Sequence, residues 1–467
     1  VAVARKPGLF INGNYGRLWA GHTISVFGDF IFDTTLVLWI AAVIARGQTW
    51  APLAVSGVFI ATTIPMLFVG PIAGVFVDRW NKRRTMLAMD VARAALVALL
   101  ILTAGVVPLP FLPDGRLPLL WQLGVVYAVV LLLNTLSQFF RPASLALTGD
   151  IVPEASQAHA MGLSQTSMSI AMILGPTLAA PIFVAFGPEW ALGVNALSFL
   201  VSFALIQSVA APPAASSLAK GARPNFWREF GLGLRFFLRS RALVVLTIAA
   251  TIMMLGGGAM NTLDYFFVTQ NLHAPTSLYG VLSGTMGIGM ILGAILAGAF
   301  AQKIGLTRTI WLSLLGIGLV ATAYARMSDF WIAAALIGVI GVAQAGLNVA
   351  IGPLLLQSAP REMIGRVSSI LNPTIMIATL VGAALGGYLD SDLLRGFSAT
   401  VLGMRFGPVD TILTGAGVIA LAGALFALVG LQGIRTQAQA QQPAAEEQPV
   451  VVAALPFAIE AEEPILR

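Results

Sequence analysis

The chain has 467 residues, 58% of them hydrophobic and only 10% charged, with a formal net charge of +6 and no cysteine. A soluble domain carries roughly 25% charged residues, so this chain has too little charge to cover a water-facing surface and reads as a polytopic membrane protein. The absence of cysteine excludes disulfides and thiolate metal sites, and in a membrane chain the positive balance records loop sidedness, not nucleic-acid binding.

In chain order, the N-terminal VAVARKPGLFINGNYGRLW holds no separate apolar core or cleavage site, so no removable signal peptide is expected and the first spanning helix directs insertion. About 20 apolar residues cross a bilayer as a helix. Runs that meet this length lie near 18–45, 51–77, 84–107, 119–140, 157–186 and 190–210, then near 242–270, 277–301, 308–326, 330–357, 363–389 and 410–434. This predicts an all-α membrane fold of twelve transmembrane helices in two pseudo-symmetric six-helix bundles, residues 1–210 and 242–435. Between them, 211–241 begins polar and Pro/Ala-rich and ends in an aromatic and basic stretch, Phe226 to Arg239, read as an amphipathic surface helix. Residues 436–467 are Gln/Ala/Pro/Glu-rich and read as a disordered tail, dispensable or regulatory. With the N-terminus inside, inner segments hold 20 Lys and Arg and outer loops five, which predicts both termini in the cytoplasm.

The halves echo each other. GVFVDRWNKRR (74–84) recurs as GAFAQKIGLTR (298–308), and LGPTLAAPI (174–182) as VGAALGGYL (381–389). Paired six-helix units are a mark of secondary transporters, whose substrate site lies between the repeats near the membrane midplane.

Two carboxylates sit where they are most costly, in GDFIFDTTLVLWI (28–40). Asp29 and Asp33 are four residues apart, which places them on one helical face at roughly 6 Å. Counted from Arg17 they lie about 18 and 24 Å along a helix axis, well inside a hydrocarbon core of about 30 Å. Carboxylates at that depth must face a water-filled cavity or be protonated, and two so close titrate as one coupled pair. They are the candidate proton-coupling site, with protonation competing against a lipophilic substrate, cationic or uncharged; the bland alternative is a packing role, with Asp29 bonded to a backbone group or to a hydroxyl such as Thr34, Thr35 or one on another helix. Asp264 is the candidate counterpart in the second half, either in the cavity or at a solvated rim. Tyr265, Phe266, Phe267, Phe30, Phe32 and Trp39 are candidate cavity aromatics, packing against neighbouring helices or lipid being the alternative for each. Asp90 and Arg93, one turn apart, predict an internal ion pair, and Asn134, Gln138, Gln165, Gln344 and Asn348 are candidate polar cavity liners. The histidines, His22, His159 and His273, lie on different segments without metal-ligand spacing, and no nucleophile motif or phosphate-binding loop is present. The chain is therefore not expected to be an enzyme, and no cofactor, metal or nucleic acid is expected. An ion gradient is the expected energy source.

Gly74, Asp78, Arg79, Lys82, Arg83 and Arg84 resemble the loop 2–3 signature of the major facilitator superfamily, with Asn81 replacing the usual second glycine and read as a residue tolerant of left-handed geometry. The resemblance implies alternating access, with this loop latching the cytoplasmic ends of the halves while the transporter opens outward. Asp78 would then accept hydrogen bonds at the start of the eleventh span, after Pro360. Arg141, beside the 4–5 loop, is assigned to the same charge network. Gly175 and Pro176 are similar to the fifth-helix hinge motif of the superfamily's antiporters, with Ala179 and Ala180 where that motif carries glycines. The chain resembles bacterial exporters of the macrolide-efflux and enterobactin-exporter type, which implies proton-driven export of amphipathic molecules by a monomer in the bacterial inner membrane, with protons and lipids as partners. The rival readings are a proton symporter or uniporter for another solute or a metal ion, and a membrane sensor that carries no flux.

Overall fold

The computed structural model describes residues 11–103, 117–210, 226–358, 360–401 and 404–432. The expected tail, the outer loop at 108–116 and the first part of the linker, 211–225, lie outside them. Among the described residues twelve helices are long and apolar enough to cross a membrane. With no water to satisfy peptide groups in hydrocarbon, each apolar run closes its backbone hydrogen bonds within itself. Those of the first half are α1 (Gly13–Trp39), α2 with α3 (Ala51–Phe68, Gly70–Val77), α4 (Lys82–Thr103), α5 (Leu119–Ile151), α6 (Gln157–Phe186) and α7 (Pro188–Gln207). After α8 (Phe226–Arg239) come α9 (Arg241–Phe266), α10 (Tyr279–Ile304), α11 (Leu306–Tyr324), α12 (Phe330–Ser358), α13 (Arg361–Tyr388) and α14 (Pro408–Leu431). A short hairpin, β1 (Ala399–Val401) with β2 (Met404–Phe406), links the last two. Single π-helical turns extend α1, α9 and α13, at Ile40–Ile44, Phe267–Asn271 and Leu389–Leu393.

Two spans depart from the expected runs. The second is broken at Val69, where Pro65 and Pro71 both withhold backbone N–H groups, so α3 restarts as a separate helix. The fourth runs on through Pro142 to Ile151. Its extension has an apolar face, with Phe140, Ala143 and Leu147 buried against Leu18, Val77, Met86 and Ile206. Arg141 is therefore a mid-helix residue and not part of the loop.

Among the described residues the halves meet tightly at one end. Gly280 and Gly284 of α10 lie against the Pro176 carbonyl and Thr177 of α6, and the Thr177 hydroxyl reaches the Gly280 carbonyl at 3.3 Å. Beside them α2 meets α13. The Leu53 N–H donates to the Ser391 Oγ at 3.2 Å, and Gly387 lies against Pro52, Leu53 and Ser56. Small residues let backbones approach where lipid leaves little hydrophobic drive for helix association. This closed end carries the C-terminus of α1 and the N-terminus of α2; at the opposite end lie the N-terminus of α1 and the 78–84 loop.

Candidate functional site

Three features of the first half hold α1. The Asn195 amide donates to the Gly28 carbonyl at 2.9 Å. Gly175 leaves no room for a side chain beside Phe30. Thr34 and Thr35 bond back to the Phe30 and Ile31 carbonyls at 3.0 and 2.7 Å, which commits their hydroxyls to their own helix and not to Asp29. The stretch that carries the aspartates is thus fixed by packing and backbone bonds; Asp33 projects into open space, whereas Asp29 is half-buried and meets the Asn195 side chain.

They border two cavities. The first, about 120 Å³, lies within the first half and is lined by Asp29, Asp33, His22, Arg93, Asn134 and Arg141. The second, about 270 Å³, lies between the halves, with Asp33 and Phe30 on one side and Asp264, Asn261 and Tyr279 on the other. Asp33 belongs to both. It is exposed to them, whereas Asp29 is half-buried and faces the first cavity alone. No basic side chain is among the described residues that line the second cavity.

The wall of the first cavity carries fixed charge. Arg93 pairs with Asp90, and both are buried. Asp90 also accepts from the Ser202 hydroxyl at 2.8 Å. The Arg93 guanidinium is held between the rings of Phe140 and Phe199, 4.4 and 4.3 Å from their centroids. Its charge and that of Arg141 both act on Asp29. Arg93 lines the cavity and Asp90 does not, so the pair turns the positive end of its dipole to the cavity, and the two aromatic faces hold it there.

In the second half the Tyr324 hydroxyl donates to Asp264 at 3.2 Å. Asp264 lines the cavity, so the rim alternative does not describe it. Behind it a third space of about 70 Å³ opens among methionines of α9 and α10.

The remaining candidates divide clearly. Phe30 lines both of the first two cavities and Phe32 the first, but Trp39, Tyr265, Phe266 and Phe267 pack into the core. Asn134 lines the first cavity and Gln344 the methionine space. Gly175 and Pro176 sit at the α1 and α10 crossings of α6, and Ala179 and Ala180 beside them are fully buried.

In the 78–84 loop, Lys82 pairs with Asp150 at 2.6 Å, and Arg83 donates to the carbonyls of Ile206 and Gln207. Asp78 and Arg79 are exposed and Arg84 is exposed beside them; among the described residues none of their side chains bonds to the second half. Gly74 has open space around it. Arg141 is corrected here. It turns into the cavity of the aspartates, because α5 continues past it, and the loop's bonds are made by Lys82 and Arg83. Asn81 is corrected too. Among the described residues the non-glycine positive-φ positions are Ile11 and His273, and Asn81 instead caps α4, its Oδ1 accepting from the Arg84 N–H at 3.0 Å. Sequence reasoning did not single out His22 or Tyr279 for the cavities, nor Tyr324 as the partner of Asp264. The signal available for the tyrosines was a phenol at membrane depth, which needs a buried partner.

Residues 9–452 match the family described as transmembrane secretion effector, within the major facilitator superfamily. The chain belongs to this family. The transporter is 24% identical over 454 residues to the MFS-type transporter YkuC of Bacillus subtilis, covering 94% of this chain and 98% of that one. It is 23% identical over 370 residues to macrolide efflux protein A of Streptococcus pyogenes, covering 79% and 87%. It is 24% identical over 360 residues to the multidrug efflux pump Tap of Mycolicibacterium fortuitum, covering 74% and 82%. Among solved structures, a bacterial homologue of the iron transporter ferroportin in an inward-facing state matches with a TM-score of 0.67 at 14% identity, covering 89% of this chain and 98% of that one. The nucleoside transporter NupG matches at 0.66 and 13%, covering 90% and 100%. At these identities the structures speak for the fold alone. The transporter is a multi-pass membrane protein, with the twelve-helix facilitator fold read from its sequence, and it is not an enzyme.

Proposed function

We propose that this transporter is a proton-coupled antiporter that exports amphipathic, cationic small molecules from the bacterial cytoplasm by alternating access. One observation carries the reading: Asp33 from the first half and Asp264 from the second border one cavity between the halves, and no basic residue is among its described lining. Such a space favours a cation. Asp33 also borders the cavity of Asp29, so a proton and a substrate charge can compete for one group. The efflux activity printed in the names of macrolide efflux protein A and Tap supports the direction of transport.

On this reading residues 1–210 and 242–435 are the two rocking units, joined by 211–241, and the protein works as a monomer in the inner membrane. The Lys and Arg asymmetry puts both termini in the cytoplasm. The sealed end is then the outer one, and the molecule stands inward-facing with the latch loop disengaged. Asp78, Arg79 and Arg84 engage the second half only in the outward-facing state, and Gly175 with Pro176 marks where α6 flexes between the two.

The test is uptake of a fluorescent amphipathic cation into everted vesicles. Uptake should require an acid-inside, outward-directed proton gradient and collapse with an uncoupler. Asp29→Asn should abolish proton-driven uptake while leaving substrate exchange between equal pools, and Asp33→Asn should abolish proton-driven uptake and weaken exchange as well, because the substrate charge shares that group. If both variants keep full gradient-driven uptake, proton coupling does not reside in this pair. In intact cells, uncoupling should raise drug retention; a fall would mean import.

A further inference from the structure

The two halves hold different kinds of internal space. The cavity of the first half is lined by ionisable groups, Asp29, Arg93 and Arg141 among them. The one enclosed by α9, α10, α11, α12 and α14 is lined by Met253, Met254, Met260, Met286, Ile337 and Ile340, with Ala416 and Ala420 as its floor. It is not a separate void. Asp264, Asn261, Met286 and Ile337 line both this recess and the cavity between the halves, so the two join at the Asp264 carboxylate.

We propose that the methionine recess is the binding subsite for the apolar arm of the substrate, with Asp264 holding the adjacent ammonium centre. The inference rests on the cationic-substrate reading above and adds which half reads the apolar part. Three features fit this occupant. The recess opens beside a carboxylate, so a ligand with a positive group next to its apolar arm engages both. Methionine side chains are unbranched and polarisable, so they repack around alkyl groups of differing shape. The space of about 70 Å³ is smaller than the apolar cavity of ~150 Å³ that admits benzene. In this state the recess accepts a short or branched alkyl arm, and larger arms require the methionines to move. Asp33 of the first half faces the substrate charge across the shared cavity, but the apolar arm is read by the second half alone.

The experiment uses the purified full chain in detergent and a series of n-alkyltrimethylammonium ions of increasing chain length, which hold the charge constant. In the unmodified protein, affinity should rise by about fourfold per added methylene over the first few carbons, then level off. Ala420→Leu, which fills the recess, should flatten that rise while retaining the affinity for tetramethylammonium. Met254→Ala combined with Met260→Ala, which enlarges the recess, should move the plateau to longer chains. A variant that no longer folds loses the whole series, tetramethylammonium included, and the enlarging pair then decides. If that pair leaves the chain-length profile of the unmodified protein unchanged, the recess is not the apolar subsite. If the unmodified protein binds no member of the series, the cationic-substrate reading falls and the subsite with it; binding without any dependence on chain length overturns the subsite alone.

Discussion

Gly280→Ala tests the closed end directly. An added Cβ would stand 2.9 Å from the Pro176 carbonyl carbon, and it would penetrate the carbonyl oxygen. Non-bonded carbons settle roughly 3.5–4.0 Å apart, so α6 and α10 must separate by at least about 0.6 Å. The obstacle is backbone, which cannot rotate away as a side chain can. Overpacking of this kind costs about 1–3 kcal/mol, and it falls on the sealed state alone if the helices part in the other. The population should then shift towards the state open at this end by about fivefold to 150-fold, at 1.4 kcal/mol per factor of ten. Because the chain contains no cysteine, one reporter suffices. Ser283→Cys lines the central cavity and can be labelled with a membrane-impermeant maleimide from either face. Gly280→Ala should raise labelling from the outer face and lower it from the inner face. An unchanged ratio, in protein that still carries substrate, would mean that the contact is not what holds this end shut.

Ser391→Ala removes the side chain that caps α2 from across the interface, for which no side chain of the α2 N-terminus substitutes. The loss should be about 1 kcal/mol, seen as roughly fivefold more outer-face labelling of the same reporter. Arg93→Met strands Asp90 without its counter-charge among buried groups; thermal unfolding in detergent should show a loss of about 3–5 kcal/mol, and adding Asp90→Asn should recover most of it. Asn81→Ala takes away the cap of α4 and should cost about 1 kcal/mol in the same measurement, whereas Asn81→Asp should be nearly neutral; a large gain from Asn81→Gly would instead favour a left-handed turn.

The spans were legible because apolar run length and its interruption by basic loops decide them with little help from tertiary context, and the helix at 157–186 coincides with its run. Where a helix leaves the hydrocarbon, that signal ends. The extension of α5 past 140 is written instead in the spacing of Phe140, Ala143 and Leu147, which a search for apolar length does not weigh. Missing it misplaced Arg141. Asp29, Asp33 and Asp264 were legible as carboxylates at membrane depth, since few residues are so costly there without use. Their division between cavities was not. It depends on which face of α1 meets α7 and which meets the second half, set by contacts such as Asn195 with Gly28 and Gly175 with Phe30. The methionine recess had no sequence signal, because methionine in an apolar helix looks the same whether it faces lipid, core or ligand.

The two ends of the molecule also constrain each other. A transporter that alternates must keep both states within reach, and moving an equilibrium from 1:99 to 99:1 takes about 5.5 kcal/mol. The sealed end, with two close helix crossings and the Ser391 bond, favours one of the two states. Something must offset it when the other state is occupied. On the proposed reading that is the 78–84 loop, whose Asp78 has no second-half partner among the described residues here and gains one when the inner ends close. Weakening either lock should therefore be corrected by weakening the other. Asp78→Asn alone should leave the inward-facing labelling pattern intact but slow transport, because the outward-facing state loses its hold. Combined with Gly280→Ala, it should return the labelling ratio and the transport rate towards those of the unmodified protein. If the double variant is slower than either single one, the two sites do not oppose each other across one equilibrium, and the loop is only a basic anchor at the membrane face.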